Sequence, residues 1–186
     1  MQVAGQLLHE AGWERFAAHA SDTVRGWACY ALAAVPGMPL PERVERFRRF
    51  ADDPHFGVRE WAWIALRPRL AEDLPLAIEA LLPWTASPSA NVRRFAAEVL
   101  RPRGVWCAHI DALKRDPKPG LALLAPLKAD PSRYVQNSVA NWLNDASRSA
   151  PEWVRKTVKA WSRGKPAKET LYICKRALRT LEGTEA

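Results

Sequence analysis

The chain has 186 residues, 28 Lys and Arg against 20 Asp and Glu, a net charge of +8, and 9 Trp and 15 Pro beside 9 Gly. That length holds one compact core or one short repeat array, and a 48% apolar composition is too high for a disordered chain. No apolar run approaches the roughly 20 residues of a spanning helix, and residues 1–10 lack the basic start and apolar stretch of a signal peptide.

Cys29, Cys107 and Cys174 are odd in number and far apart, which suits a reducing cytoplasm better than a disulfide framework. His9, His19, His55 and His109 form no cluster with metal-ligand spacing. The expectation is therefore a cytoplasmic protein with no metal, no cofactor and no membrane association. Charge is uneven along the chain: residues 1–100 sum to −1 and residues 101–186 to +9. Either this is a solvated basic surface, or the second half meets a polyanion, nucleic acid first.

A repeat runs through the chain. Val24-Arg25-Gly26-Trp27-Ala28 recurs 34 residues on as Val58-Arg59-Glu60-Trp61-Ala62, and again after 34 as Val92-Arg93-Arg94-Phe95-Ala96. A divergent copy comes after 43 residues, Val135-Gln136-Asn137-Ser138-Val139, and a fifth is read at Tyr172 to Leu178. The lead-ins repeat as well: Asp53-Pro54, Ser87-Pro88 and Asp130-Pro131. Asp or Ser before Pro is the chemistry of an N-cap followed by N1, because the side chain accepts an orphan N–H and Pro needs no acceptor.

Each unit reads as two helices. The predicted pairs are Pro41–Phe50 with Val58–Leu66, Leu74–Trp84 with Val92–Leu100, Pro119–Lys128 with Val135–Asn144, and Glu152–Trp161 with Lys168–Leu181. No alternating strand pattern competes with them. The fold class is all-α: an α-solenoid of HEAT-like two-helix repeats with a concave basic face. One repeat domain is expected over 1–186, with about five units. Second helices of successive units would line the concave face, so Arg67-Pro68-Arg69 and Arg101-Pro102-Arg103, one repeat apart, would form a basic track for phosphates. Arg25, Arg59 and Arg93 would either join that track or bond to neighbouring carbonyls and Asp residues and hold the stack. Trp27, Trp61, Trp153 and Trp161 are expected to pack between helices.

The stretch 87–106 gathers an acid, an aromatic and two guanidiniums near one helix end: Glu98, Arg101, Arg103 and Trp106. A Glu in the second helix is costly if buried and meaningful if it faces the groove. One unit on, Asp145 sits near a helix C-terminus, where the helix dipole disfavours a carboxylate.

These stretches resemble the AlkC/AlkD superfamily of alkylpurine DNA glycosylases, AlkC most of all. The family pattern S-P-x-x-x-V-R-R-x-A-S-E-G-x-R-P-x-L-P-W is matched by Ser87, Pro88, Val92 to Arg94, Ala96, Glu98, Arg101, Pro102 and Trp106. The pattern Y-V-x-x-S-V-A-N-x-L-N-D is matched by Tyr134, Val135, Ser138 to Asn141 and Leu143 to Asp145. Leu178 to Leu181 is similar to the family's closing helix. The best-matched region is 87–145. Ala97, Val99 and Gly104-Val105 depart from the pattern, and Trp142 stands where a small polar residue is usual. With the family's Arg-Pro set on Arg67-Pro68, Trp63 falls about where a further Glu would be, next to Glu60.

The resemblance implies a monofunctional glycosylase that removes cationic N-alkylpurines, of the 3-methyladenine and 7-methylguanine type, from double-stranded DNA. It would act without metal or cofactor, as a monomer, in the cytoplasm or on the nucleoid. Such a base is already a cation, so it leaves without a general acid, and the sugar becomes oxocarbenium-like. Negative charge and an electron-rich face near C1′ are what the reaction needs. Glu98 and Asp145 would supply the charge and place the water, and Trp106 the face. Arg101 would hold a phosphate, with Arg67, Arg94, Arg103, Asn141, Arg176 and Arg179 on the DNA. The alternative is a non-catalytic HEAT-like relative that binds branched or damaged DNA. A plain protein-binding HEAT scaffold is the third reading.

Overall fold

A computed structural model of the chain describes residues 12–183. The described residues are helical and contain no strand. None of their helices is long and apolar enough to cross a membrane. They fall into two compact units that divide between Leu81 and Leu82. The fold class is the α-solenoid expected from the repeat.

The first unit holds α1 (Trp13–Ala17), α2 (Asp22–Ala34), α3 (Leu40–Ala51), α4 (Phe56–Glu72) and α5 (Leu74–Leu81). Its core is built from Leu32, Phe47, Phe50, Leu66 and Leu70, all nearly sealed from solvent. The second unit begins with a 3₁₀ turn, Leu82–Ala86, and continues through α6 (Ala90–Glu98) and α7 (Asp111–Arg115). A second 3₁₀ turn, Lys118–Gly120, leads into α8 (Leu121–Leu124). It closes with α9 (Arg133–Ser147), α10 (Pro151–Trp161), α11 (Lys168–Ala177) and α12 (Arg179–Glu182). Trp84, Phe95, Leu100, Leu113, Leu123 and Trp142 fill its core.

The repeat has a mechanical basis at each lead-in. The side chains of His19, Asp53, Ser87 and Asp130 each accept the backbone N–H two residues on, at 2.8–3.3 Å. Those acceptors place the N-caps at Ser21, His55, Ser89 and Ser132. The helices therefore start two residues later than a cap at Asp53, Ser87 or Asp130 would give, and the prolines lie ahead of them. The cause is the short side-chain turn, which Asp and Ser form as readily as a cap. Six residues beyond each lead-in, Arg25, Arg59, Arg93 and Gln136 reach back to its backbone carbonyl. Each loop is thus clasped to the helix it introduces.

Two of those arginines also join successive lead-ins. Arg25 forks onto Asp53 at 2.7 and 3.0 Å, and Arg93 onto Asp130 at 2.6 and 3.1 Å. The two-bond planar geometry makes these strong pairs. For Arg25 and Arg93 the stack-holding role is the one observed, and Arg59 donates to the carbonyls of Asp53 and Pro54. Ala28, Ala62, Ala96 and Val139, at one repeat position, are fully buried, where small side chains let helices approach.

Helix ends differ from expectation in places. α4 runs on through Pro68 to Glu72, since Leu70-Ala71-Glu72 favour helix and only one backbone bond is lost at the proline. The predicted helix over 119–128 is reduced to a 3₁₀ turn and the short α8. The last predicted helix breaks at Leu178. Trp27 is half exposed rather than packed between helices. Trp61 lies against Gly26 and leaves no room there for a Cβ.

Candidate active site

The site lies in the second unit, on α6, α9 and the segment between Glu98 and Ile110. On α6, Arg94 and Glu98 are one turn apart and share a face. On α9, Tyr134, Ser138, Asn141 and Asp145 keep to the helical repeat along one side. The clasps at Ser87 and Asp130, joined by Arg93, fix the starts of these two helices.

A continuous polar network joins them. Arg94 lies over the Tyr134 ring at 4.7 Å and donates from Nε to Ser138 Oγ at 3.2 Å. The Ser138 hydroxyl donates to Glu98 Oε2 at 2.5 Å, and Arg94 Nη2 stands 3.7 Å from the same oxygen. Arg101 Nη1 donates to Glu98 Oε1 at 2.6 Å, and its Nε to Asp145 Oδ2 at 2.8 Å. One buried guanidinium therefore holds both carboxylates that the sequence singles out. Burial of so many charges is tolerable only because each is paired and bonded.

The two carboxylates are not equivalent. Burial pushes the Glu98 carboxyl up, but the charges of Arg94 and Arg101 and the bonds from Ser138 and Arg101 outweigh it and hold it below the usual range. Both its oxygens are engaged. Burial also pushes Asp145 up, and its bond to Arg101 offsets this only in part, so it stays above the usual range. Arg101 takes Oδ2, and among the described residues no hydrogen bond falls on Oδ1. Burial would lower the Arg101 guanidinium, yet Glu98 and Asp145 overcome that and keep it firmly charged.

α6 ends at Glu98, and Trp142 secures the turn beyond it: its indole N–H donates to the Leu100 carbonyl at 3.0 Å. Trp142 itself seats on Gly120, where its ring leaves no room for a Cβ. Past that turn a loop closes on itself, with Ile110 N–H on the Pro102 carbonyl at 3.1 Å. Trp106 stands in this loop at φ 63°, 91% exposed. A bulky residue in the left-handed region is strained, and such strain gathers at functional segments.

The remaining candidates divide. Arg101 is occupied by carboxylates rather than turned out to solvent, and Arg67 lies in α4, also buried. Neither guanidinium is therefore open to solvent as the expected track requires. Arg94 is likewise buried in the network. Arg103 is half-buried and donates to Ser149 Oγ at 2.7 Å. Arg179 is exposed and donates to Asn141 Oδ1 at 3.0 Å, and Arg176 is exposed beside Tyr172. Trp63 is buried and donates its indole N–H to Glu60.

Ser138 escapes a reading of charges alone, though the repeat holds a signal for it. Trp27, Trp61 and Phe95 precede it at the same repeat position, so the change from aromatic to hydroxyl marks a polar neighbour. Among the described residues no group of His, Cys, Asp and Glu could hold a metal ion.

Similarity to known proteins falls on the same residues. The sequence profile of the DNA alkylation repair enzyme family matches residues 58–180, and the chain belongs to that family, within the AlkC/AlkD superfamily. A HEAT-repeat profile matches residues 12–101. Among solved structures, the alkylpurine DNA glycosylase AlkC of Pseudomonas fluorescens, bound to DNA containing an abasic site analog, is similar at a TM-score of 0.76 and 28% identity. The match covers 98% of this chain and 48% of that one. AlkD2 of Streptococcus mutans shares the fold at a TM-score of 0.75 and 23% identity, over 94% of this chain and 81% of that one. The uncharacterized protein YhaZ of Bacillus subtilis is 46% identical over 76 residues, or 41% of this chain and 21% of YhaZ. The chain thus spans about half of the AlkC chain and a fifth of YhaZ.

Proposed function

We propose that this chain binds alkylated double-stranded DNA and hydrolyses the N-glycosidic bond of cationic N-alkylpurines, 3-methyladenine and 7-methylguanine among them. Asp145 carries the reading: a buried carboxylate with one oxygen pinned, and the other taking no hydrogen bond among the described residues, is suited to face a developing positive charge. As the C1′–N bond lengthens, the neutral base departs with the bonding pair and the sugar takes up the charge. Negative charge fixed in a poorly solvated site stabilises that state more than it does the ground state. Water then adds at C1′ and loses a proton, for which Asp145 Oδ1 is a ready acceptor.

Glu98 acts through Arg101 in this scheme. It fixes the guanidinium, which in turn fixes Asp145, so Glu98 is a positioning residue. Trp106 offers an aromatic face to the sugar or the cationic base, an attraction of about 0.5–2 kcal/mol. Metal and cofactor have no part in the reaction, and the protein works as a monomer in the cytoplasm or on the nucleoid.

The test is release of methylpurine from methylated duplex, followed by chromatography. Wild-type protein is expected to free the base, and Asp145→Asn to bind the same duplex without freeing it. A wild-type protein that binds and releases nothing would overturn the enzymatic reading. It would favour a non-catalytic relative that recognises branched or damaged DNA. Trp63 supports that second reading, because an indole fills the position aligned with a further family Glu.

A further inference from the structure

Arg101 can hold Glu98 and Asp145 together only while its own backbone is fixed. It stands three residues beyond the end of α6, where no helical ladder holds the chain. A helix end leaves its last carbonyls without partners inside the helix. Here the Val99 N–H takes the Phe95 carbonyl at 3.0 Å, and the Arg101 N–H takes the Glu98 carbonyl at 3.2 Å. Leu100 is sealed from solvent, so its carbonyl has no water to turn to, and a buried carbonyl without a donor is costly. The Trp142 indole N–H supplies that donor from α9, at 3.0 Å. The carbonyl it takes belongs to the peptide that leads directly into Arg101.

The indole is itself held. Trp142 is fully buried, its ring lies 6.2 Å from that of Trp153 on α10, and it rests on Gly120. Any side chain at Gly120 would occupy the space of the ring, so the bed and the indole fit as a pair. Trp142 also departs from the pattern of the chain's relatives, where a small polar residue is usual. An indole carries its donor farther from the backbone than such a residue can.

Arginine has several rotatable bonds, so its head stays in place only while both ends are held. The carboxylates hold the head of Arg101, and the capped turn holds its base. Asp145 depends on the result. The charged groups around it are Glu98 and Arg101 beside α6, Arg148 beyond the end of α9 and Arg179 on α12. Arg101 makes the hydrogen bond, and that bond is the strongest influence opposing the upward push of burial on the Asp145 carboxyl.

We propose that Trp142, seated on Gly120, is a positioning residue: by capping the Leu100 carbonyl it sets the point from which Arg101 reaches Asp145. The inference rests on the role given to Asp145 above and adds to it the residue that keeps its partner in register.

Two variants break the same bond by different routes. Trp142→Phe keeps a ring and removes the N–H, while Gly120→Ala keeps the indole and pushes it off its bed. Ile173→Ala, which removes fully buried volume in α11, serves as the control for lost stability alone. The first readout is the titration of the Asp145 carboxyl by carbon NMR in protein labelled at aspartate, which needs no turnover. Both variants are expected to move it to higher pH, because a loosened Arg101 lowers it less, and Ile173→Ala is expected to leave it in place. The second readout is base release from methylated duplex. A small misplacement at a reacting centre slows chemistry more than binding, so a loss on the order of tenfold in kcat with duplex affinity retained is expected. An Asp145 titration unchanged in both variants overturns the proposal, as does an equal shift in Ile173→Ala. A shift confined to Trp142→Phe and Gly120→Ala, in a protein whose wild type frees no methylpurine, keeps the positioning role and overturns the glycosylase.

Discussion

Arg43 in the first unit and Arg101 in the second are both buried arginines, and they do opposite work. Arg43 gathers the carbonyls of Leu32, Ala33, Val35 and Met38 at 2.6–3.2 Å and so closes the C-terminus of α2. Burial lowers its guanidinium. Arg101 holds Glu98 and Asp145, and is pushed the other way. Carbonyls cannot titrate, so the first arrangement is a cap and nothing more. Carboxylates can, and among the described residues no hydrogen bond falls on Asp145 Oδ1. The same side chain, given different acceptors, yields a brace in one unit and the centre of the proposed active site in the other.

Breaking the two arginines should separate these roles. Arg101→Met leaves two buried carboxylates without their partner and is expected to cost about 3–5 kcal/mol at neutral pH, read by chemical denaturation. That cost shrinks on acidification, because unpaired buried carboxylates can take up protons. Arg43→Met is expected to cost about 2–3 kcal/mol, with no change of that cost through the carboxylate range. Equal pH profiles for the two variants would refute the contrast.

Asp145→Asn is expected to slow base release by about 100-fold or more, with duplex binding retained. The pH profile of the wild type carries a second check. The proposed reaction needs ionised Asp145, whose carboxyl burial pushes above the ordinary Asp value. Activity should therefore fall with acid from a point above that value, while binding persists. The linked effects on stability have opposite signs. Glu98, held low, stabilises the fold above its unfolded pKa, and that contribution is lost as pH falls through its folded pKa. Asp145, held high, destabilises the fold once ionised, and the penalty disappears below its unfolded pKa.

Smaller effects test the shared construction. Gly120→Ala drives a methyl into the ring of Trp142, which is fully buried, and is expected to cost about 2–3 kcal/mol. Gly26→Ala meets Trp61, which is only half-buried and can swing aside, so about 1 kcal/mol is expected. Arg25→Gln and Arg93→Gln remove matching forks and should cost about 1–2 kcal/mol each, alike within error. A large difference between those two would mean that the clasp is not one device used twice.

The repeat was legible because its signal is local. Val, Arg and a small residue at fixed phase, each after a Pro-marked lead-in, specify helix starts without knowledge of neighbours. Glu98 and Asp145 were also visible, since acids at such helix positions are out of place in a plain repeat. Arg67 and Arg101, read as parts of an open track, are each buried. The two Arg-Pro-Arg segments look alike, yet α4 passes through one while α6 stops before the other. The residues just beyond each segment decide this: Leu70-Ala71-Glu72 continue a helix, and Gly104-Val105-Trp106 do not.

The sequence by itself determined the helices, their repeated clasps and the residues that could do chemistry, because all of these depend on side chains within a few turns of each other. Tertiary structure decided which of those residues meet. Ser138 lies 40 residues from Glu98, and Asp145 lies 44 from Arg101. Only the packing of α9 on α6 gives Arg101 two carboxylates and commits both oxygens of Glu98 but, among the described residues, one of Asp145. Pairing and burial set charge states, and both depend on neighbours that chain order does not supply.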